Sequence, residues 1–387
     1  MSLNTTSTPG YTFAASAPPS NGASDADPVS FLYPHHSAEV AKTLIATAQA
    51  LVNPRGKGIY ATDETPEGIE ARLVAAHGQE GTGKTLSDAE KREQRRRWRE
   101  CLYESLPTDY ISGVILYSET LIDFQLAPVL AARGIIPGVR ADTDAHPLPI
   151  SPNEPATQGL DDLLPRLQAA RAAGARFTKW RAPILCNSST LPTQAGLEVQ
   201  AESLARFAAI SQQAGLVPIV EPDVDFAEDA DLKRSVEVHV KIVSLIYARC
   251  AAYGVLLEGS LIKPSFAQPG QKHPSRATTS AEQIGLATAT VLARSVPISV
   301  AGIVFLSGGL SDSDAIKYLN AVNTVVNSPK TDYPLCFSRL PPLTFSFGRG
   351  LQGDAMQKWV KGDETGAKKA FEDRAKACYK AARGESV

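Results

Sequence analysis

The feature that most restricts what this chain can fold into is an alternation. Eight short apolar runs recur between segments of helical spacing, and most of them finish on a polar or charged residue. The runs are Gly56–Asp63, Ile111–Tyr117, Gly134–Arg140, Phe177–Arg181, Leu216–Glu221, Leu256–Lys263, Gly302–Leu306 and Leu343–Phe347. Several are almost continuously apolar, as parallel strands buried on both faces must be. Eight strand–helix repeats predict an α/β chain folded as a single (β/α)8 TIM barrel. An open doubly wound sheet would alternate too. The barrel is favoured because Asp63, Arg140, Lys179, Arg181, Glu221, Lys263, Ser307 and Arg349 fall at or near the C-terminal ends of their runs, the rim where barrels build active sites.

The helical segments carry their own signals. A helix from Ser37, with Val40, Leu44, Ile45 and Ala48 on one face, is expected to cover an end of the fold. Another follows through Ile69 and Leu73. Lys91–Arg99 reads as a solvated basic face. Further helices are expected over Leu121–Ala132 and through Leu160, Leu163, Leu164 and Leu167, the latter stopped by Gly174. The spacing of Leu232, Val236, Val240, Val243 and Tyr247 predicts a helix with Gly254 just past its end. Ser280 and Gln283 have capping-box spacing, and helices are expected to close the chain to about Ala382.

Hydrophobic residues make up 43% of the 387, enough for a large core. A net charge of −2 gives no reason to expect nucleic acid or membrane as a partner. No apolar run reaches the roughly 18 residues of a membrane helix. The 5 cysteines are scattered without a CxxC pair, which points to a reducing compartment and a cytoplasmic protein. Residues 1–36 are rich in Ser, Thr, Ala, Pro and Gly and are expected to be a disordered extension, with residues 37–387 as the barrel. No Lys or Arg precedes Lys42, which argues against a basic signal or transit peptide.

Gly78–Thr85 matches the P-loop pattern G-x4-G-K-S/T literally. That pattern has meaning only after a buried strand. The residues before it, Ile69–His77, look helical, so a linker between helices is the better reading.

Lys263 ends the sixth run among aliphatic residues. Desolvation there favours the neutral amine, the form that attacks a ketone carbonyl to give a Schiff base. A shift from about 10.4 to about 7 corresponds to roughly 4 kcal/mol. Period-2 geometry puts Lys179 and Arg181 on one face, and Lys179 near Lys263 adds like-charge repulsion. A structural alternative for Lys179 is an ion pair with Glu221. Asp63, Lys179, Glu221 and Lys263 meeting at one barrel mouth make a proton-transfer site around an amine nucleophile. Ser307-Gly308-Gly309 and Ser346-x-Gly348-Arg349 lie on the seventh and eighth strand ends, where barrels often bind phosphate through backbone N–H groups. The substrate class these features suggest is a phosphorylated ketose or ketone. The 6 histidines show no ligand spacing, so no metal or cofactor is expected and an iminium must serve as electron sink.

These residues are similar to a known family. From about Gly56 to the last helix the chain resembles class I fructose-bisphosphate aldolase. The matching blocks are Gly56-Lys57-Gly58-Ile59…Asp63-Glu64, Lys179-Trp180-Arg181, Val217-Pro218-Ile219-Val220-Glu221-Pro222, Leu257-Glu258-Gly259-Ser260-Leu261-Ile262-Lys263-Pro264, Phe305-Leu306-Ser307-Gly308-Gly309 and Thr344-Phe345-Ser346-Phe347-Gly348-Arg349. The resemblance implies metal-independent, reversible cleavage of fructose 1,6-bisphosphate to dihydroxyacetone phosphate and glyceraldehyde 3-phosphate in glycolysis, by a homotetramer. It implies that Lys263 forms the Schiff base at C2, Glu221 shuttles protons, Asp63 takes the C4 hydroxyl proton and Lys179 steadies charge. It also implies that Ser307, Gly308, Gly309, Gly348 and Arg349 hold the C1 phosphate, with Ser346 and Arg181 also on the substrate and Arg72 and Arg140 facing the C6 phosphate.

The sequence departs from the family pattern as well. Arg140 and Ala71 stand where lysines are usual, Gly68 and Pro66 replace small polar residues, and Asp223 stands for a second glutamate. The first three bear on C6-phosphate recognition, which keeps fructose 1-phosphate and sedoheptulose bisphosphate open as substrates. The sequence ends at Val387 without the family's terminal tyrosine, so late proton transfer is expected to take another route or to be slower. A different class of reading is an aldolase-like scaffold that binds partners without catalysis; the complete Asp63, Lys179, Glu221 and Lys263 set argues against it.

Overall fold

Eight of the ten strands close into one barrel in the computed structural model, which describes residues 35–77, 86–328 and 335–386. In chain order the strands are β1 (Gly58–Thr62), β2 (Ile111–Leu116), β3 (Ile136–Arg140), β4 (Ala145–Leu148), β5 (Ser151–Thr157), β6 (Phe177–Ile184), β7 (Val217–Val224), β8 (Leu261–Ile262), β9 (Gly302–Phe305) and β10 (Leu343–Phe347). The barrel runs β1-β10-β9-β8-β7-β6-β3-β2, each strand parallel to its neighbours, while β4 and β5 pair as a separate antiparallel hairpin. The expected (β/α)8 barrel is therefore present. Residues 1–34 of the expected extension and the P-loop-like stretch lie outside the described residues. Helices Pro66–His77 and Asp88–Tyr103 flank the latter, so the strand a P-loop needs before it is absent there.

The helix Ala38–Val52, capped by Ser37, closes the N-terminal end of the barrel. Its buried stripe is Ala41, Leu44, Ala48, Leu51 and Val52, with Val40 and Ile45 on the flanks, and it packs onto inward residues such as Ile59, Ile115, Phe177, Ile219 and Val304. A Cβ on Gly302 would meet Val52 at 2.5 Å, so only glycine lets β9 approach this plug.

Four expectations need correction. The lysine run is not a full strand: Leu257–Gly259 is a 3-10 turn, and only Leu261–Ile262 pairs in the sheet. Its backbone is satisfied instead by the Gln212 amide, which donates to the Leu256 (2.7 Å) and Gly259 (3.2 Å) carbonyls and accepts from the Leu256 N–H (2.8 Å). The helix expected over Leu121–Ala132 is broken into a π turn at Glu119–Asp123 and a short helix Ala127–Ala132, around Gln125 at φ 54°. The basic helix is not merely a solvated face, because Arg95 and Arg99 are buried against carboxylates. Finally, β6 and β7 run three residues beyond Arg181 and Glu221, raising a wall above the mouth that the β4–β5 hairpin joins: Thr157 Oγ1 donates to the Arg181 carbonyl (3.0 Å).

Candidate active site

The strand ends converge on a cleft of two adjoining chambers that share Asp63, Glu64, Arg72 and Arg181. One, about 280 Å³, is lined further by Glu221, Asp223, Lys263, Ser307–Gly309, Ser346, Gly348 and Arg349. The other, about 450 Å³, adds Arg140, Asp142, Lys179 and the base of the hairpin. Every residue predicted for the site thus faces one cleft.

At its centre two amines and two carboxylates interlock. Lys179 Nζ lies 2.6 Å from Asp63 Oδ2 and 3.1 Å from Glu221 Oε2, and Lys263 Nζ lies 3.3 Å from Glu221 Oε1. Lys179, Glu221 and Lys263 are each only 4% exposed, so neither amine points to bulk water. Burying such charges is costly unless they are paired, and here each is. The two lysines are not a bare like-charge pair, because Glu221 stands between them. Burial alone would raise the Asp63 carboxyl, but the Lys179 and Lys263 ammoniums outweigh it and hold the group well below the usual carboxylate range. Burial likewise works against the Lys179 charge, yet Asp63, Glu221 and Asp142 reverse the sign and hold it above its ordinary value. Lys179 therefore stays an ammonium, and Asp63 stays ionised in the free site. Both the ion pair foreseen for Lys179 and its place beside the nucleophile are realised.

The rim differs from end to end. Gly309 takes φ +75°, a left-handed turn that favours glycine, and a Cβ on Gly348 would lie 2.8 Å from the Ala61 carbonyl. The helix Arg349–Trp359 starts directly after that glycine, and Gly348 and Arg349 line the chamber, so a helix N-terminus of the kind that binds anions stands at its wall. Arg349 donates to the Leu310 carbonyl (3.3 Å) and makes no ion pair among the described residues. The Ser346 hydroxyl is buried there without a partner. On the far side every arginine is already matched. Arg140 Nε donates to Asp142 Oδ2 (2.6 Å), Arg181 lies 2.7 Å from Asp223, and Arg72 lies 3.7 Å from Glu64.

Sequence reasoning missed a buried support under Asp63. Glu64 accepts from Arg99 Nη2 (2.8 Å) and from Gln352 Nε2 (2.5 Å), and Tyr60 bonds the same Gln352. This ties the end of β1 to the helix that begins at Arg349. The available signal was Arg99 sitting next to Trp98, one turn before Leu102 and Tyr103, on the inward stripe of an otherwise charged helix. Asp142, just past the end of β3, also accepts the Arg181 N–H (3.0 Å) and fixes the far wall.

A closed parallel barrel with a buried lysine paired with a glutamate at its C-terminal mouth, beside a glycine-rich rim, places the chain among barrel proteins whose site sits at that mouth. Comparison with known proteins narrows this. The family model described as fructose-bisphosphate aldolase class-I matches residues 43–386. Fructose-bisphosphate aldolase C-B of Danio rerio is 38% identical over 364 residues, 92% of this chain and 94% of that protein. The aldolase of Dictyostelium discoideum is 37% identical, covering 88% of this chain and 91% of its own. A solved structure of the Plasmodium falciparum aldolase, in complex with TRAP and a small-molecule inhibitor, superposes with TM-score 0.81 at 33% identity, covering 91% of this chain and 97% of that one. The chain belongs to the class I fructose-bisphosphate aldolase family, whose members are carbon–carbon lyases acting on a phosphorylated ketose. Among the described residues no helix is long and apolar enough to cross a membrane.

Proposed function

We propose that this cleft cleaves fructose 1,6-bisphosphate reversibly with Lys263 as the nucleophile. The observation that carries the reading is the Lys263 Nζ–Glu221 Oε1 contact of 3.3 Å inside a buried, charge-balanced cluster. Lys263 passes a proton to Glu221, and the resulting free amine attacks C2 of the ketose. Glu221 protonates the carbinolamine hydroxyl, which leaves as water, and the iminium draws the electrons of the C3–C4 bond as it breaks. Asp63 accepts the C4 hydroxyl proton, and glyceraldehyde 3-phosphate departs. The enamine is then protonated at C3 and hydrolysed to dihydroxyacetone phosphate. Lys179, fixed as a cation between Asp63 and Glu221, offsets the negative charge that passes between them. Ser307, Gly308, Gly309, Ser346, Gly348 and Arg349 receive the C1 phosphate; Arg72, Arg140 and Arg181 receive the C6 end.

Residues 37–387 act as one catalytic unit in this reading, in a cytoplasmic homotetramer of the glycolytic kind; sedimentation of the purified chain tests the assembly. The non-catalytic scaffold is not favoured, since four mutually satisfied ionic side chains in a cleft serve no purpose in a docking surface. Borohydride reduction with dihydroxyacetone phosphate should attach the ligand to Lys263, and Lys263→Met should lower cleavage about 10⁴-fold or more. Normal cleavage by that variant would sink the reading. Whether fructose 1-phosphate or sedoheptulose bisphosphate is also accepted is answered by comparing kcat/KM for the three sugars.

A further inference from the structure

Lys263 stands where the sheet gives out. β8 contributes only Leu261 and Ile262; toward β7 the last ladder bond runs from the Lys263 N–H to the Val220 carbonyl (2.8 Å), and toward β9 the Leu306 N–H reaches the Pro264 carbonyl (3.1 Å). Beyond it Pro264–Gly270 is buried yet belongs to no helix or strand. Buried backbone without a ladder must satisfy its polar groups elsewhere. At its ends backbone partners do so, the Leu306 N–H at the Pro264 carbonyl and the Ala230 carbonyl at the Gly270 N–H (2.8 Å); between them side chains from two helices take part. The Ala267 N–H donates to Thr288 Oγ1 (3.1 Å) on helix Ala281–Ser295, and the Gln268 N–H donates to Ser235 Oγ (3.2 Å) on helix Leu232–Ala252.

The tightest of these ties is at Ser265. The Val224 N–H, at the end of β7, donates to Ser265 Oγ (3.1 Å), and the Val224 carbonyl lies 3.1 Å from the same oxygen. Behind it sits His239, 2% exposed, with Nε2 at 3.0 Å from Ser265 Oγ and Nδ1 at 2.7 Å from the Ser235 carbonyl. A carbonyl can only accept, so Nδ1 carries the proton and Nε2 of the neutral ring is an acceptor. The bonds then run one way: Val224 N–H to Ser265, Ser265 O–H to His239 Nε2, His239 Nδ1–H to Ser235. Burial keeps the imidazole in that neutral state, its pKa pushed down to about 4. His239 lines neither chamber of the cleft. Of the stripe expected on its helix, Val243 and Tyr247 are buried, but Leu232, Val236 and Val240 are only half-buried, and in that first half Ser235 and His239 face inward.

We propose that His239 is a positioning residue for Lys263, acting through Ser265 to hold the nucleophile's strand end against the strand end that carries Glu221. Ser265 lies two residues after the lysine, and Val224 three after the glutamate. Their bridge therefore fixes the spacing between Nζ and Oε1 that a two-residue strand leaves weakly determined. A shift of about 1 Å in such a contact costs up to about 10²-fold in rate. The inference rests on Lys263 being the Schiff-base lysine.

The test uses the full chain with His239→Phe, Ser265→Ala, Ser265→Thr and the His239→Phe/Ser265→Ala pair. Inactivation by borohydride with dihydroxyacetone phosphate is timed, the labelled peptide is identified, and kcat and KM are measured per folded molecule. We expect trapping and kcat to fall about ten-fold in His239→Phe and in Ser265→Ala, with KM within about two-fold. The pair should be no worse than either single variant, because both break one path. Ser265→Thr, which keeps the hydroxyl, should return to within about three-fold of the parent. Should His239→Phe not fold, the Ser265→Ala against Ser265→Thr contrast decides, since neither changes much volume. Label on Lys263 with unchanged trapping rates in the variants overturns the brace alone, as does a loss confined to KM or to thermal stability. Label absent from Lys263 in the parent overturns the site assignment and the brace with it.

Discussion

The two ends of the cleft recognise charge by different means. At the β9–β10 end, Ser307–Gly309 and the start of helix Arg349–Trp359 bring backbone and one arginine that has no ion-pair partner among the described residues. At the β3–β6 end Arg140 faces Asp142, while Arg181 and Arg72, which line both chambers, already face Asp223 on the wall of the first chamber and Glu64 between the two. A phosphate reaching the first end completes an unfinished anion site. One reaching the second must compete with carboxylates in place. In the proposed assignment the first end grips the phosphate common to both sugars, and the second, whose cations are already paired, adds only modest discrimination against a sugar lacking the second phosphate.

The largest break in this comparison should come from Arg349→Ala. It removes charge-assisted hydrogen bonds to a phosphate that both fructose 1,6-bisphosphate and fructose 1-phosphate carry, worth roughly 1.5–3 kcal/mol. Both sugars should lose about ten- to a hundred-fold in kcat/KM, and equally; a loss confined to the bisphosphate would reverse the assignment of the ends. Arg140→Met should do less and do it selectively. We expect about five- to ten-fold on the bisphosphate and under about two-fold on fructose 1-phosphate, the discount reflecting the Asp142 pair that already occupies the guanidinium. Parallel loss on both sugars would show that Arg140 acts on the common part of the substrate.

Acid sharpens the contrast further. Burial raises the Asp223 carboxyl, and Arg181 only partly offsets it. Its protonated form is thus favoured in the fold, and this term gains stability as pH falls through the raised value. Asp63 is the opposite case: its pKa is depressed, so its contribution is present above the ordinary 3.8 and is lost as pH falls below it. On mild acidification Asp223 therefore takes its proton before an exposed aspartate would, and releases Arg181 while the Asp63–Lys179 pair persists. The KM for the bisphosphate, divided by that for fructose 1-phosphate, should fall about two- to four-fold toward the acid side. Asp223→Asn, with Arg181 free at every pH, should show no such fall. Identical pH profiles for the two proteins would remove Asp223 from far-end recognition.

What could be read from the residues follows the same division. Lys263, Glu221, Lys179 and Asp63 were legible because a charge in an apolar run has few reasons to be there, and the barrel repeat placed all four at one mouth. The glycine-rich end was legible because its chemistry is local, two short loops at known strand ends. The supports were not. Arg99 was hidden in a run of basic residues whose inward stripe only the fold reveals, and Gln352 reads as an ordinary helix residue. The β4–β5 hairpin carries Pro147, Pro149, Pro152 and Pro155, which argue against strand in any local reading. The lysine strand was overcalled because Leu256–Ile262 is mostly apolar despite Glu258 and Ser260, while the partner that replaces its ladder, Gln212, lies on a distant helix.

Ionic strength gives the smallest expected effect and the finest discrimination between the two ends. The Debye length shrinks from about 10 Å at 0.1 M to about 3 Å at 1 M, and exposed charges feel this most. Arg181 and Arg72 have side chains 51% and 38% exposed, so salt weakens their attraction for an incoming phosphate. The same salt loosens their pairs with Asp223 and Glu64, which partly cancels the loss. The near end relies on fixed N–H groups at a helix start, close to the phosphate and poorly screened. From 0.05 to 0.5 M salt, at fixed pH, KM for the bisphosphate should therefore rise only about two-fold more than KM for fructose 1-phosphate. If both rise together, the near end too depends on long-range attraction and its independence from screening is wrong. If the excess reaches ten-fold, the carboxylate partners do not compete for the far-end arginines, and discrimination there must come from shape instead of from charge exchange.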